Sequence, residues 1–169
     1  MTNGYPVAAV IGKQSVMTAA QDTFISSTFW TERVALAAAI ANIRYFEEHR
    51  VHEHLGEMGK RVQEGWGREA RACGLPIHIS GIYPLGHFGF ECADPLACKT
   101  YFTQEMLAEG FLATTAFYAS YAHTDAIVDQ YIAACGRVFA QIAAVLQSGG
   151  EIAAHLQGPV CHAGFQRLN

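Results

Sequence analysis

The sequence predicts an α+β domain, with helices laid on one face of a small, mostly antiparallel sheet. Three observations carry this. Apolar residues recur every three or four positions through 32–73 and again through 124–147, the helical period. Between these stretches, Ile77 and Ile79 alternate with polar residues, as do Phe88, Phe90 and Cys92, the period of half-buried strands. Asp94-Pro95 then opens a further helix, giving the order strand, helices, two strands, helix, strand, helix.

Residues 4–12 read as a short buried strand, because Val7, Val10 and Ile11 form a strand-favouring run that ends at Gly12. A short helix is expected from Gln14 to Ala20. Thr31 is the expected N-cap of the next helix, with Glu32 in its first turn. Leu36, Ile40, Ile43 and Phe46 form its apolar row, and His49 and Arg50 close it at the negative end of its dipole. A second helix repeats Val51, Leu55, Met58, Val62 and Trp66 and stops at Gly74-Leu75-Pro76. Glycines at 56, 59 and 65 lie inside it, each costing about 1 kcal/mol against alanine, so tertiary contacts must hold it. Tyr83-Pro84 separates the two strands. The helix opened by Asp94-Pro95 ends at Gly110, and 111–113 is the third strand candidate of this layer. From Thr124 a long helix runs to about Gln147, with Val128, Tyr131, Cys135, Phe139, Ile142 and Leu146 facing inward. Gly149-Gly150 stops it, and the tail holds a short amphipathic stretch at 152–156.

The 169 residues suffice for one domain with a real core. The composition is 51% hydrophobic and 15% charged, apolar for a globular domain, which points to a surface covered by a partner chain or a further domain. No run is long enough for a membrane-spanning helix, and the N-terminus lacks the pattern of a signal peptide. A net charge of −4 without a basic block excludes a nucleic-acid binder. The cysteines, Cys73, Cys92, Cys98, Cys135 and Cys161, show no CxxC spacing, so reduced thiols in a cytoplasmic protein are expected rather than a zinc or redox motif.

Several short segments, in order, carry a family resemblance. They are Thr2-Asn3-Gly4-Tyr5-Pro6 with the run to Gly12-Lys13, then Ser27-Thr28 ahead of an alanine-rich helix, then Gly86-His87-Phe88-Gly89-Phe90. Leu107-Ala108-Glu109-Gly110-Phe111 and Ser120-Tyr121-Ala122-His123-Thr124 follow. Together they resemble the class III, fold-type I pyridoxal-phosphate (PLP) aminotransferases, a family that includes glutamate-1-semialdehyde aminomutase. The resemblance implies that 1–30 is the end of the large PLP-binding domain, 31–148 the small C-terminal α+β domain of that fold, and 149–169 an irregular tail. It also implies that the cofactor lysine falls just ahead of Met1, so that this chain is the C-terminal portion of such an enzyme.

The resemblance places a PLP-phosphate contact at Thr28, reaching the cofactor of the neighbouring subunit, with Ser27 as a second donor. A hydroxyl and backbone N–H ahead of a helix form a reasonable anion site, although local capping would use the same groups. The lysines are Lys13, Lys60 and Lys99. Lys13 matches a non-catalytic family position, and Gly12-Lys13 lacks the earlier glycine of a phosphate loop. No catalytic residue or metal ligand is therefore expected in this chain, and PLP is expected only in the full-length enzyme. Tyr118 stands where the aminomutases place a gating glutamate, which puts aminomutase chemistry in doubt. Arg33, after the Thr28 segment, could meet a substrate carboxylate, but a surface salt bridge is the expected role. His49, His52 and His54 read as a solvated face rather than a metal site. Phe88, Phe90, Phe102, Phe111 and Phe117 read as core.

The expected function is the C-terminal part of an enzyme transferring an amino group between an amino compound and a carbonyl or semialdehyde. This fragment alone is expected to be inactive, and its partners would be a second copy or the missing large domain. The alternative is a non-catalytic dimerisation or interaction module derived from the same family.

Overall fold

In the computed structural model, residues 1–25, 28–29 and 32–164 are described. They fall into two units, Met1–His52 and Glu53–Asn169.

The first unit begins with a turn. The Thr2 hydroxyl donates to the Tyr5 carbonyl, and the Tyr5 N–H donates to the same hydroxyl oxygen at 3.2 Å. Asn3 takes the left-handed conformation (φ 50°), which asparagine tolerates better than most residues. Asn42 Nδ2 donates to the Met1 carbonyl at 2.7 Å and ties this turn to a helix of the same unit. The expected strand at 4–12 does not form. Val10 and Ile11 are 74% and 88% exposed in an extended segment. A strand needs a neighbour to take its backbone hydrogen bonds, and none of the described residues supplies one.

Helix α1, Gln14–Met17, runs into a 3-10 turn, Thr18–Asp22, close to the expected helix. Helix α2, Arg33–Glu48, is capped by Glu32, whose carboxylate accepts from the N–H groups of Val34 and Ala35 at 2.8 and 2.6 Å. The expected cap, Thr31, lies outside the described residues, and Glu32 is the cap itself rather than a first-turn residue. A two-oxygen carboxylate satisfies two orphan donors where a hydroxyl satisfies one. The row Leu36, Ile40, Ile43 and Phe46 is not an inner face: the four are 51, 53, 44 and 37% exposed, while Ala35 and Ala39 are buried. His49 ends the helix, its N–H bonded to the Tyr45 carbonyl and its ring stacked on Tyr45 at 3.8 Å.

The second unit holds the core. Helix α3, Val51–Cys73, buries Met58, Val62, Trp66 and Ala70 at the expected spacing. Strands β1 (Ile77–Ile82) and β2 (Leu85–Phe90) form an antiparallel hairpin in which Ile82 faces Leu85. The third strand is β3, Ala116–Tyr118, paired antiparallel with β2; the expected strand at 111–113 is irregular. Phe88 N–H already donates to the Thr115 carbonyl, so pairing with β2 starts at 115 and leaves 111–113 outside the ladder. The sheet order is β1-β2-β3. Helix α4, Pro95–Ala108, starts as expected: Asp94 caps it by accepting from Ala97 N–H at 2.9 Å, and Pro95 opens it. Helix α5, Asp125–Gln147, is capped by Thr124 and buries Val128, Tyr131, Cys135, Phe139 and Ile142.

Only one face of the sheet is packed. Along β2, Gly86, Phe88 and Phe90 point inward and Leu85, His87 and Gly89 outward. Phe88 is the hub, with ring centroids 4.9 Å from Trp66, 5.2 Å from Phe102 and 5.4 Å from Phe139, all edge-on. Burial of rings this size contributes about 1.5–3 kcal/mol each before geometry is counted. Phe102 is buried as expected; Phe111 and Phe117 are half-buried at the core's margin.

The helix glycines have structural roles that periodicity does not reveal. A Cβ at Gly59 would run into the Tyr83 carbonyl at the hairpin turn, and one at Gly65 would lie 2.7 Å from Ile132 Cδ1 of α5. Gly59 therefore admits the β1–β2 turn against α3, and Gly65 admits α5. Gly56 faces open space.

Candidate functional site

The phosphate-contact site expected at Ser27-Thr28 sits in the connection ahead of α2. Thr28 is an exposed turn residue; Ser27, with Ser26, Trp30 and Thr31, lies outside the described residues. The turn is closed by Glu32 N–H donating to the Phe29 carbonyl at 3.2 Å. The helix N-terminus behind it is not an open anion site, because the Glu32 carboxylate already holds the Val34 and Ala35 N–H groups. An incoming phosphate would meet that negative charge if it approached the axis of α2. What remains for an anion is the Thr28 hydroxyl and the turn itself, with the exposed Arg33 cation next along the chain.

The same unit holds a cavity of about 800 Å³ lined by Pro6, Val7, Val10, Ile25, Phe29 and Leu36, with Glu32 at its polar edge. Ile11 and Phe24 stand out from the same unit at 88% and 94% exposure. An apolar groove with one carboxylate and no lysine suits a covering peptide or helix better than a charged cofactor.

The lysines are placed away from such chemistry. Lys13 is exposed ahead of α1, and Lys60 on α3 lies 3.9 Å from Glu64 with both side chains more than half exposed. Lys99 is half-buried on α4. None of the three lines any of the five cavities characterised in the structure.

The histidines do not converge. His49 stacks on Tyr45, and His52 stacks on Phe46 at 5.7 Å. His54 Nε2 hydrogen-bonds the His123 carbonyl at 2.9 Å. Among the described residues no group of three His, Cys, Asp or Glu side chains is arranged to hold a metal. His123, expected as a helix-entry residue, does more. Its Nδ1 accepts the Ser120 N–H at 3.0 Å, and its ring stacks on Phe117 at 5.0 Å. Burial and the nearby His54 charge hold its pKa below the ordinary histidine value, so the ring is kept neutral. Tyr118, expected from the resemblance at the place of a gating glutamate, ends β3 and is 71% exposed on the unpacked side of the sheet.

Two features escape a sequence reading. Glu32 as a cap carries no signal, because Thr31 is the better N-cap type by preference. The approach of Cys92 to Cys98, at 3.3 Å between sulfurs, follows no spacing motif.

No family model matches the sequence. Individual proteins do. The chain is 26% identical over 141 residues to the 2'-deamino-2'-hydroxyneamine transaminase of Streptomyces kanamyceticus, an alignment covering 80% of this chain and 36% of that protein. The PLP internal-aldimine structure of the FumI protein of Sphingopyxis sp. MTA144 superimposes with a TM-score of 0.74 at 27% identity, covering 87% of this chain and 36% of that one. An omega-transaminase from Sphaerobacter thermophilus shares the fold with a TM-score of 0.71 at 19% identity, over 85% of this chain and 37% of that one. The homologues and structural neighbours are thus PLP-dependent transaminases, and the chain spans little more than a third of their length. Among the described residues no helix is long and apolar enough to cross a membrane.

Proposed function

We propose that the chain is the C-terminal portion of a class III PLP-dependent aminotransferase, supplying its small α+β domain and part of a neighbouring subunit's phosphate site. The observation that carries this reading is the FumI superposition, which extends over 87% of the chain at 27% identity. Bound PLP supplies an electron sink for amino-group transfer between an amino compound and a carbonyl. The residues of this chain that would touch it are Thr28 and Ser27, donating to its phosphate across a dimer interface. They would fix the ring's distance from the groups that move protons, and would carry no proton themselves.

In this reading 1–30 ends the large domain, 31–148 forms the small one, and 149–169 trails from it. The exposed Val10, Ile11 and α2 row would then be faces covered in the whole enzyme. With the cofactor lysine placed by the resemblance ahead of Met1, and none of Lys13, Lys60 and Lys99 lining the five cavities characterised among the described residues, this sequence alone would form no specific covalent bond to PLP and would be inactive by itself. Tyr118 favours an aminotransferase over an aminomutase, since a phenol does not offer the negative charge of a gating carboxylate. The cell compartment that suits this reading is the cytoplasm.

The alternative, a non-catalytic interaction module, is favoured by the apolar row of α2 and the 800 Å³ groove, surfaces that can pair without chemistry. Two measurements separate the readings. First, the folded chain is incubated with PLP, reduced with borohydride and weighed by mass spectrometry. Stoichiometric labelling of one lysine would refute the statement that this sequence has no covalent site; low labelling spread over all three agrees with it. Second, the chain is assembled with a large domain from a class III relative. If the phosphate role is right, Thr28→Val weakens PLP retention roughly 10- to 100-fold, the worth of a hydrogen bond to a charged group. Unchanged retention would leave the interaction-module reading in its place.

A further inference from the structure

Cys92 and Cys98 take no part in the proposed function. Cys92 sits just past β2, where Glu91 N–H extends the strand by donating to the Pro76 carbonyl at 3.0 Å. Cys98 sits in the first turn of α4, its own N–H bonded to the Asp94 carbonyl at 3.2 Å, beneath the Asp94 cap. The backbone is therefore pinned on both sides of the pair. The two Sγ atoms are 3.3 Å apart. A disulfide needs about 2.05 Å, so closure requires the sulfurs to approach by little more than 1 Å.

The two thiols differ in access. Cys98 is wholly buried, while Cys92 is partly open to solvent. Burial, together with the hydrogen bond and charge of Cys92 and the carboxylate of Asp94, pushes the Cys98 thiol up to about 12. Cys98 keeps its proton, so Cys92 is the sulfur that meets an oxidant first.

We propose that Cys92 and Cys98 form a redox modification site, at which a hydroperoxide converts the pair into an intramolecular disulfide joining the end of β2 to the first turn of α4. In the first step the Cys92 sulfur attacks the terminal peroxide oxygen. The O–O bond breaks, Cys92 becomes a sulfenic acid, and the departing oxygen leaves as water or an alcohol. In the second step Cys98 attacks the Cys92 sulfur. The S–O bond breaks, and the hydroxide leaves as water with a proton from solvent. Two thiols are oxidised by two electrons and one peroxide is reduced. The attacking form is the Cys98 thiolate, so the Cys98 proton is given up to solvent as the bond forms, and the closing step quickens as pH rises.

The test uses the folded chain, treated with hydrogen peroxide and then alkylated at every remaining thiol. Peptide mass spectrometry should show the 92–98 pair lighter by two hydrogens and unalkylated, with Cys73, Cys135 and Cys161 alkylated. Reduction should restore both thiols. In Cys98→Ala, which keeps a small buried side chain, Cys92 should stop at the sulfenic acid and be trapped by dimedone. Repeating the oxidation on wild-type protein in denaturant should reduce the preference for this pair over pairs with Cys73 to the bias that its shorter loop gives. Peroxide that leaves both thiols alkylatable, or drives Cys92 to sulfinic acid without a 92–98 link in the wild type, would overturn the proposal. An equal mixture of cysteine pairs in the folded protein would overturn it as well.

Discussion

Replacing Gly56 and Gly59 of α3 by alanine should move stability in opposite directions. Both substitutions improve helix propensity by about 1 kcal/mol, the ordinary difference between glycine and alanine in a helix interior. At Gly56 nothing lies within 4 Å of the new methyl, so the gain is kept. At Gly59 the methyl would meet the Tyr83 carbonyl, a backbone atom held by the β1–β2 hairpin rather than the flexible end of a side chain. Relief requires the turn to lift off the helix. The Gln63 amide, which donates to the Ile82 carbonyl at 3.1 Å, would be strained with it. Overpacking of this kind costs about 1–3 kcal/mol and more when backbone must shift, so the net loss should be about 1–2 kcal/mol after the propensity gain. In a chain of this size that lowers the melting temperature by roughly 2–8 °C, while Gly56→Ala raises it by about 1–4 °C. Urea and thermal unfolding of the two variants, followed by circular dichroism, would measure both signs. Should Gly59→Ala prove as stable as Gly56→Ala, the close approach of turn and helix would be wrong, and with it the account of why a glycine-rich helix survives here.

Phe139→Ala should destabilise by about 3–5 kcal/mol, because it removes a fully buried ring between Phe88 and Phe102; a shift in urea midpoint worth less than about 1 kcal/mol would show that these rings do not form the core. His123 has a lowered folded pKa, so the unfolded chain binds the proton more readily. Its contribution to stability is complete above the ordinary histidine pKa of about 6.5 and is lost as pH falls through the folded value. The urea midpoint should therefore drop less between pH 7.5 and 5.5 in His123→Asn than in wild type, and an identical drop would contradict the assignment. Leu36→Glu with Ile40→Glu should leave unfolding within about 0.5 kcal/mol of wild type, since both positions are half exposed on α2. Self-association, followed by sedimentation velocity, should fall in the same variant. A large loss of stability would mean that the row is covered within the chain.

Much of the second unit could be read from the residues. Helices α3, α4 and α5 have strong periods and explicit punctuation, Asp94-Pro95 and Thr124 at their starts and Gly74, Gly110 and Gly149 beyond their ends. The hairpin followed from alternation on either side of Tyr83-Pro84. The third strand was misplaced because 111–113 is more apolar than 116–118, while pairing is decided by how β2 presents its backbone. The first unit was less legible for a physical reason. A strand at 4–12 and an inner face on α2 were expected from composition, which reports what a segment would bury if something covered it. Among the described residues nothing does. At the candidate site, Thr28 could be named but its surroundings could not. That a carboxylate, Glu32, occupies the helix end behind it is a matter of rotamer and turn geometry.

The hairpin also governs how this sheet meets other chains. Strand β1 forms one border of the sheet, where backbone groups could accept an added strand and seed aggregation. Gly81 lies in that border with a φ of +93°, a conformation open to glycine and strained for a side chain, one residue before the strand's end. Any side chain placed at that position would strain the strand next to the hairpin turn, so the border near the turn depends on a residue without one.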